Sequence, residues 1–82
     1  MAVDVARVRA AVAEMLDAIG EDVQRDGLLN TPTRVAAMYE ELFSGLQDDP
    51  ARHLEVTFAL EHDEMVMVRE IPFASLCEHH LV

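Results

Sequence analysis

Apolar and polar residues follow a helical period over the first part of the chain. Asp4 is suited to cap the start of a helix, and Gly20 is suited to end it in a left-handed conformation. The polar segment 21–27 then predicts a turn. Between these limits, residues 4–19 predict an amphipathic helix whose apolar stripe consists of Val5, Val8, Val12, Met15, Leu16 and Ile19.

A second helix is predicted over residues 32–44. Thr31 can supply a capping oxygen, and Pro32 has a backbone preset for the first helical turn. Gly45 ends this helix, and residues 47–53 predict a loop with a turn at 48–50. The apolar face of the helix consists of Val35, Met38, Tyr39, Leu42 and Phe43.

The period then changes from helical to alternating. Apolar residues at every second position predict a strand over 54–61, and β-forming residues predict a second, more buried strand over 65–71. Because only a short turn joins them, the two strands are expected to pair antiparallel, and Pro72 ends the second. The predicted fold class is α+β: two N-terminal helices followed by an antiparallel β-sheet, in one domain spanning 1–82.

Composition and charge narrow the possible partners. The chain has sixteen acidic residues and six basic ones, so its net charge is -10. Because nucleic acids and anionic membranes are also negatively charged, this charge excludes a surface that binds either of them electrostatically. The chain has no apolar run long enough for a membrane span and no secretory signal. Its one cysteine, Cys77, excludes an internal disulfide. A cytoplasmic location is expected.

Four groups able to bind a metal or move a proton stand together at Cys77-Glu78-His79-His80. Thiolate and imidazole are the ligands that zinc prefers. Cys77 and His80 are three residues apart, so a tight bend would bring them to one side, while His79 would point elsewhere and be free for acid–base work. The alternative interpretation is an exposed cysteine and two solvated histidines.

Several ordered motifs point to one family. The segment 71–81 reads IPFASLCEHHL, and further motifs occupy 20–22, 25–29, 31–36, 40–46 and 63–66. At these separations they resemble GTP cyclohydrolase I, and the resemblance covers nearly the whole chain after residue 10. Many members of that family carry a lysine where this chain has Ala37, and often a larger or polar residue where it has Ala74.

The resemblance implies a function and a role for each site residue. Cys77 and His80 would bind Zn²⁺ together with a cysteine further along, and His79 would be the catalytic acid–base. Zinc-activated water would attack carbon 8 of the GTP guanine, releasing formate and giving 7,8-dihydroneopterin triphosphate, the first step of tetrahydrofolate and pterin biosynthesis. Glu78 would line the substrate pocket, and Arg34 would reach the triphosphate in a neighbouring subunit's site.

Other roles and functions fit the same residues. Glu78 could instead orient a metal-bound histidine or be solvated, and Arg34 could be an exposed helix residue. The family resemblance implies a homodecamer with a tunnel-shaped barrel, and the 82 residues alone are expected to be an inactive N-terminal portion. Two other functions fit the sequence: a non-catalytic acidic module that binds zinc or a partner, and a related metal hydrolase of the same fold.

Overall fold

The computed structural model describes residues 2–82. The chain forms two compact units, Met1–Gln47 and Asp48–Val82, and each is described by itself. The first unit holds helices α1 (Val5–Ala18) and α2 (Thr31–Leu42), followed by a 3₁₀ helix at Ser44–Gln47. The second unit begins with a 3₁₀ helix at Pro50–Leu54 and then runs without regular structure until a turn near its end. That all 82 residues form one domain stays a prediction.

Helix α1 begins and ends as the sequence predicts. The Asp4 carboxylate accepts a hydrogen bond from the backbone N–H of Arg7 at 3.1 Å, so Asp4 is the N-cap. Gly20, two residues after the helix, has a φ of +94°, a conformation that costs glycine little because it lacks a Cβ atom. Of the predicted stripe, Val12 is buried, whereas Met15 and Ile19 remain 62% and 74% exposed.

Helix α2 differs from its prediction at both ends. Asn30 is the N-cap and makes no capping bond through its side chain, so the prediction that Thr31 caps the helix is wrong. The Thr31 hydroxyl instead accepts a hydrogen bond from the Arg34 guanidinium at 3.1 Å. The α-helix ends at Leu42, and the chain tightens into the 3₁₀ helix before the predicted limit at residue 44.

The core of the first unit lies where α1 packs against α2. Helix α1 contributes the buried residue Val12, and helix α2 contributes the buried residues Pro32 and Ala36. Ala36 is completely covered, although the sequence pattern assigned the α2 core only to larger side chains. The rings of Tyr39 and Phe43 lie one turn apart with centroids separated by 5.6 Å, extending the apolar contact toward the end of the helix.

The predicted antiparallel sheet is wrong. No residue from 2 to 82 belongs to a β-strand, and the segments 54–61 and 65–71 do not pair. Within the described segment 56–76, one backbone hydrogen bond is found: the Leu60 N–H donates to the Phe58 carbonyl oxygen at 2.9 Å. A bond that spans two residues is a local turn rather than part of a ladder between strands.

The absence of the sheet has a physical cause. A two-stranded hairpin is marginal in water because it buries little apolar surface, and here the alternating side chains have no covering layer. Val56 and Phe58 are 77% and 85% exposed, and Val68 is 72% exposed. Glu70 also has a φ of +57°, which lies outside the β region and interrupts the second predicted strand.

Neither of the two α-helices in the described part of the chain has the length and apolar character needed to cross a lipid bilayer.

Candidate functional site

A closed backbone turn carries the Cys-Glu-His-His motif. The N–H of Leu81 donates to the carbonyl oxygen of Cys77 at 2.7 Å, and the N–H of Cys77 donates to the backbone oxygen of Val82 at 2.9 Å. Leu81 has a left-handed backbone with a φ of +60°. The two bonds and this reversal hold residues 77–82 in one compact loop, from which the four side chains project.

Both histidines of the motif lie beside the cysteine. The Sγ atom of Cys77 is 3.6 Å from Nδ1 of His79 and 4.0 Å from Nδ1 of His80. All three residues are exposed, so water and solutes reach the sulfur and both rings. The turn therefore places one thiol near two imidazoles. His80 is not part of the group of three residues whose ligand atoms lie close enough together to hold one metal ion, which consists of Cys77, Glu78 and His79.

Glu78 adds a carboxylate to the same cluster. Its Oε1 atom lies 3.9 Å from Nε2 of His79, whereas the cysteine sulfur is nearest to the other ring nitrogen, Nδ1. Ligand atoms of Cys77, Glu78 and His79 all lie within 4.8 Å of one another, so these residues could hold a metal ion. The Glu78–His79 contact is exposed on both sides and is screened by solvent, so it orients the ring only weakly.

The structure brings together the predicted pair and one residue more. Cys77 and His80 lie on one tight bend, as their spacing suggested. His79, which was expected to point elsewhere, has its Nδ1 slightly closer to the sulfur than that of His80. Distances to the sulfur therefore do not separate a metal ligand from an acid–base residue, and the assignment of these roles stays a prediction.

Arg34 belongs to the first unit and is held against the loop that precedes α2. Its Nη2 atom donates to the Thr31 hydroxyl at 3.1 Å and to the Gly27 carbonyl at 3.4 Å. The side chain is exposed. These bonds orient the guanidinium near the start of the helix, where the backbone also favours anions, and the predicted role of Arg34 in triphosphate binding is untested.

One feature of the turn was not visible in the sequence. Leucine has no preference for a left-handed backbone, so nothing at position 81 signalled the reversal that closes the loop. Glycine or asparagine there would have been such a signal. A separate groove of about 510 Å³ lies in the first unit beside Val8, Phe43 and Leu46, and none of the predicted site residues lines it.

Comparison with known proteins identifies the family. The family model described as GTP cyclohydrolase I matches residues 8–82. A protein named GTP cyclohydrolase 1 from Rhodopirellula baltica is 60% identical over 80 residues, which cover 98% of this chain and 35% of the relative. Proteins of the same name from Clostridioides difficile and Geobacillus kaustophilus are 59% and 54% identical, and in each the match covers 98% of this chain and 43% of the relative.

The matched region includes the whole turn and both helices except the first residues of α1. The chain spans 35–43% of the length of these three relatives. The family match covers nearly all of the chain and the identities exceed one half, so it is stronger evidence for the family than the separate motifs in the sequence. The chain therefore belongs to the GTP cyclohydrolase I family.

Proposed function

We propose that this chain forms part of a zinc-dependent hydrolase that opens the imidazole ring of GTP. Carbon 8 of the guanine leaves as formate, and the remainder recloses as 7,8-dihydroneopterin triphosphate, the first step of tetrahydrofolate and pterin biosynthesis. The observation that carries the proposal is the closed turn with one thiol and two imidazoles, in a chain of this family. A cytoplasmic location is part of the same proposal.

The distances in the turn suit zinc. With Zn–S near 2.3 Å and Zn–N near 2.0–2.1 Å, a tetrahedral zinc ion separates sulfur from nitrogen by about 3.6 Å. The Cys77 sulfur lies 3.6 Å and 4.0 Å from the two nearest imidazole nitrogens, so either histidine reaches a zinc-binding position with little movement. When bound, zinc supplies a Lewis acid that activates water near neutral pH.

Cys77 and His80 are the proposed zinc ligands, and His79 is the proposed acid–base residue. This division rests on the family resemblance, since the distances suit both histidines. His79 would then move a proton at a ring nitrogen of the purine as the imidazole opens. Glu78 is proposed to line the substrate pocket; its carboxylate lies 3.9 Å from Nε2 of His79, a contact that by itself orients the imidazole only weakly.

Arg34 is the proposed contact for the triphosphate. A guanidinium binds phosphate through paired hydrogen bonds, and the start of α2 favours negative charge. Many family members have a lysine at the position of Ala37, one turn further along the helix. Because this chain lacks that positive charge, phosphate binding through the helix should depend strongly on Arg34. The assembly is proposed to be a homodecamer with active sites between subunits.

A chimera tests the proposal without requiring any further sequence. The 80 matched residues of the Rhodopirellula baltica relative are replaced by the corresponding residues of this chain, and formate release from GTP is measured. We expect the chimera to release formate and to retain bound zinc. Cys77→Ser in the chimera should abolish both, because it removes a thiolate ligand that serine cannot replace well.

His62→Ser is the matched control, since His62 is also an exposed histidine of the second unit but lies outside the turn. It should leave zinc content and formate release close to those of the chimera. A folded chimera that binds zinc but releases no formate would favour the non-catalytic module. Full activity in the Cys77→Ser chimera would contradict the proposed metal site.

A further inference from the structure

We propose that Leu81 is a positioning residue of the metal site, acting through its backbone. Its left-handed conformation closes the turn that sets Cys77 beside His79 and His80. Leu81 itself offers no ligand atom in its side chain. The inference rests on the proposed function, because it takes this turn to be the place where the metal binds.

The hydrogen bonds of the turn match the way a left-handed residue ends a helix. In that arrangement the N–H of the left-handed residue donates to the carbonyl four residues earlier. The Leu81 N–H does so to the Cys77 carbonyl at 2.7 Å, which makes 77–80 a single helical turn and Leu81 the residue that stops it. Because side chains three apart share a face of such a turn, this places Cys77 and His80 side by side.

The reversal at Leu81 also explains the second backbone bond. A right-handed residue at this position would continue the helical turn and carry the chain away from its start. With a φ of +60°, the chain folds back, and the Val82 oxygen reaches the Cys77 N–H at 2.9 Å. The backbone of Cys77 is therefore held through both its carbonyl and its amide, which restricts where its sulfur can lie.

Leucine is a costly choice for this conformation, and that makes the inference testable. Its Cβ crowds the neighbouring carbonyl when φ is positive, whereas glycine adopts the conformation freely and asparagine tolerates it. A β-branched side chain tolerates it least. Substitutions at position 81 can therefore change the population of the closed turn without touching any ligand atom.

The experiment titrates the metal-free chimera, kept reduced, with Co²⁺ and follows the thiolate-to-cobalt charge-transfer band, because the 82 residues alone provide too few ligands for a complete site. The series is Leu81→Gly, Leu81→Asn, Leu81→Ala and Leu81→Val, with Cys77→Ser as the control for the ligand. We expect the glycine and asparagine variants to bind Co²⁺ at least as tightly as the alanine variant. The alanine variant should bind more weakly than the glycine variant by roughly 5- to 30-fold, the range expected from the crowding of a Cβ atom in the left-handed conformation. The valine variant should bind more weakly still, because its side chain is β-branched.

The order of affinities decides between a backbone role and a packing role. If the Leu81 side chain acted by apolar contact, valine would preserve binding best and glycine and asparagine would lose most, which is the reverse order. That order, or equal affinity across the series, would overturn the inference while leaving the proposed metal site intact. A cobalt band that is missing, or that persists unchanged in Cys77→Ser, would overturn the proposed site and this inference together.

Discussion

His79 and His80 are neighbours in the chain and both lie beside Cys77, so their roles must be separated by chemistry. In the chimera, His80→Ser should lose both zinc and formate release, because a ligand is gone. His79→Ser should keep the zinc but lower formate release by about 10²- to 10⁴-fold, the usual contribution of a general acid–base residue. Zinc content by atomic absorption, measured beside formate release, reads both effects directly.

His62→Ser again serves as the control for removing an exposed imidazole. The reverse pattern, with zinc lost in His79→Ser and kept in His80→Ser, would show that the shorter sulfur–nitrogen distance of 3.6 Å marks the ligand. Loss of zinc in both variants would mean that the two histidines bind the metal together, and His79 would then not be free for proton transfer.

At the scale of single residues, the sequence predicts the chemistry of the site, and it predicts the geometry only in part. The identities of Cys77, His79 and His80 were enough to suggest zinc, since few side chains bind it well. Their spacing correctly brought Cys77 and His80 onto one bend. The position of His79 beside the sulfur depends on the rotamers within the closed turn, and that turn depends on a left-handed leucine that carries no sequence signal.

At the scale of elements, the contact between α1 and α2 depends on a small side chain. Ala36 is fully covered, so Ala36→Leu would force extra volume into the contact between the helices. Overpacking of this kind should lower the free energy of unfolding of the helical unit by about 1–3 kcal/mol. Urea unfolding of the 82-residue chain, followed by the helical circular dichroism signal, measures the change.

Ala37→Leu is the matched control, because the next residue of the same helix is exposed and receives the same added volume. Its effect should stay within about 0.5 kcal/mol, as for most surface substitutions. Equal destabilisation by the two variants would show that helix propensity rather than packing determines the outcome. Neither substitution changes a charge, so electrostatic differences do not complicate the comparison.

Helices and strands were not equally predictable from this sequence. The bonds of a helix lie within one segment, so its caps and apolar period nearly suffice, and α1 and α2 lie within one to two residues of their predicted limits. A strand needs a partner and a covered face, which its own period cannot provide. The alternating segment 54–61 accordingly predicted a strand that the structure does not form.

At the scale of the whole molecule, we expect the 82-residue chain alone to bind zinc weakly and to leave GTP unchanged. With Cys77 and His80 as its ligands, it would provide fewer than the three protein ligands usual in a catalytic zinc site. Its dissociation constant for zinc should be larger than about 1 μM, because a site with all its ligands gains much more binding free energy than a site with two. Titration against a chelating dye measures this, and pterin fluorescence after oxidation measures turnover.

Cys77→Ser is the control for that titration and should remove most of the remaining zinc binding. Submicromolar, stoichiometric binding by a monomer would indicate additional ligands, for which the nearby His79 and Glu78 are the first candidates and His62 the next. Robust turnover of GTP by this chain alone would contradict the view that the site needs residues from outside these 82.

The sequence alone determined what depends on residue identity and local period. It determined the two amphipathic helices, the Asp4 cap and the family. It also predicts metal binding by residues 77–80. The tertiary structure decided which faces are covered: it buried Ala36 and left Phe58 exposed. It also decided where the backbone reverses, at Leu81. The physical reason is that local bonds and side-chain chemistry belong to a segment itself, whereas burial and strand pairing depend on what lies against it.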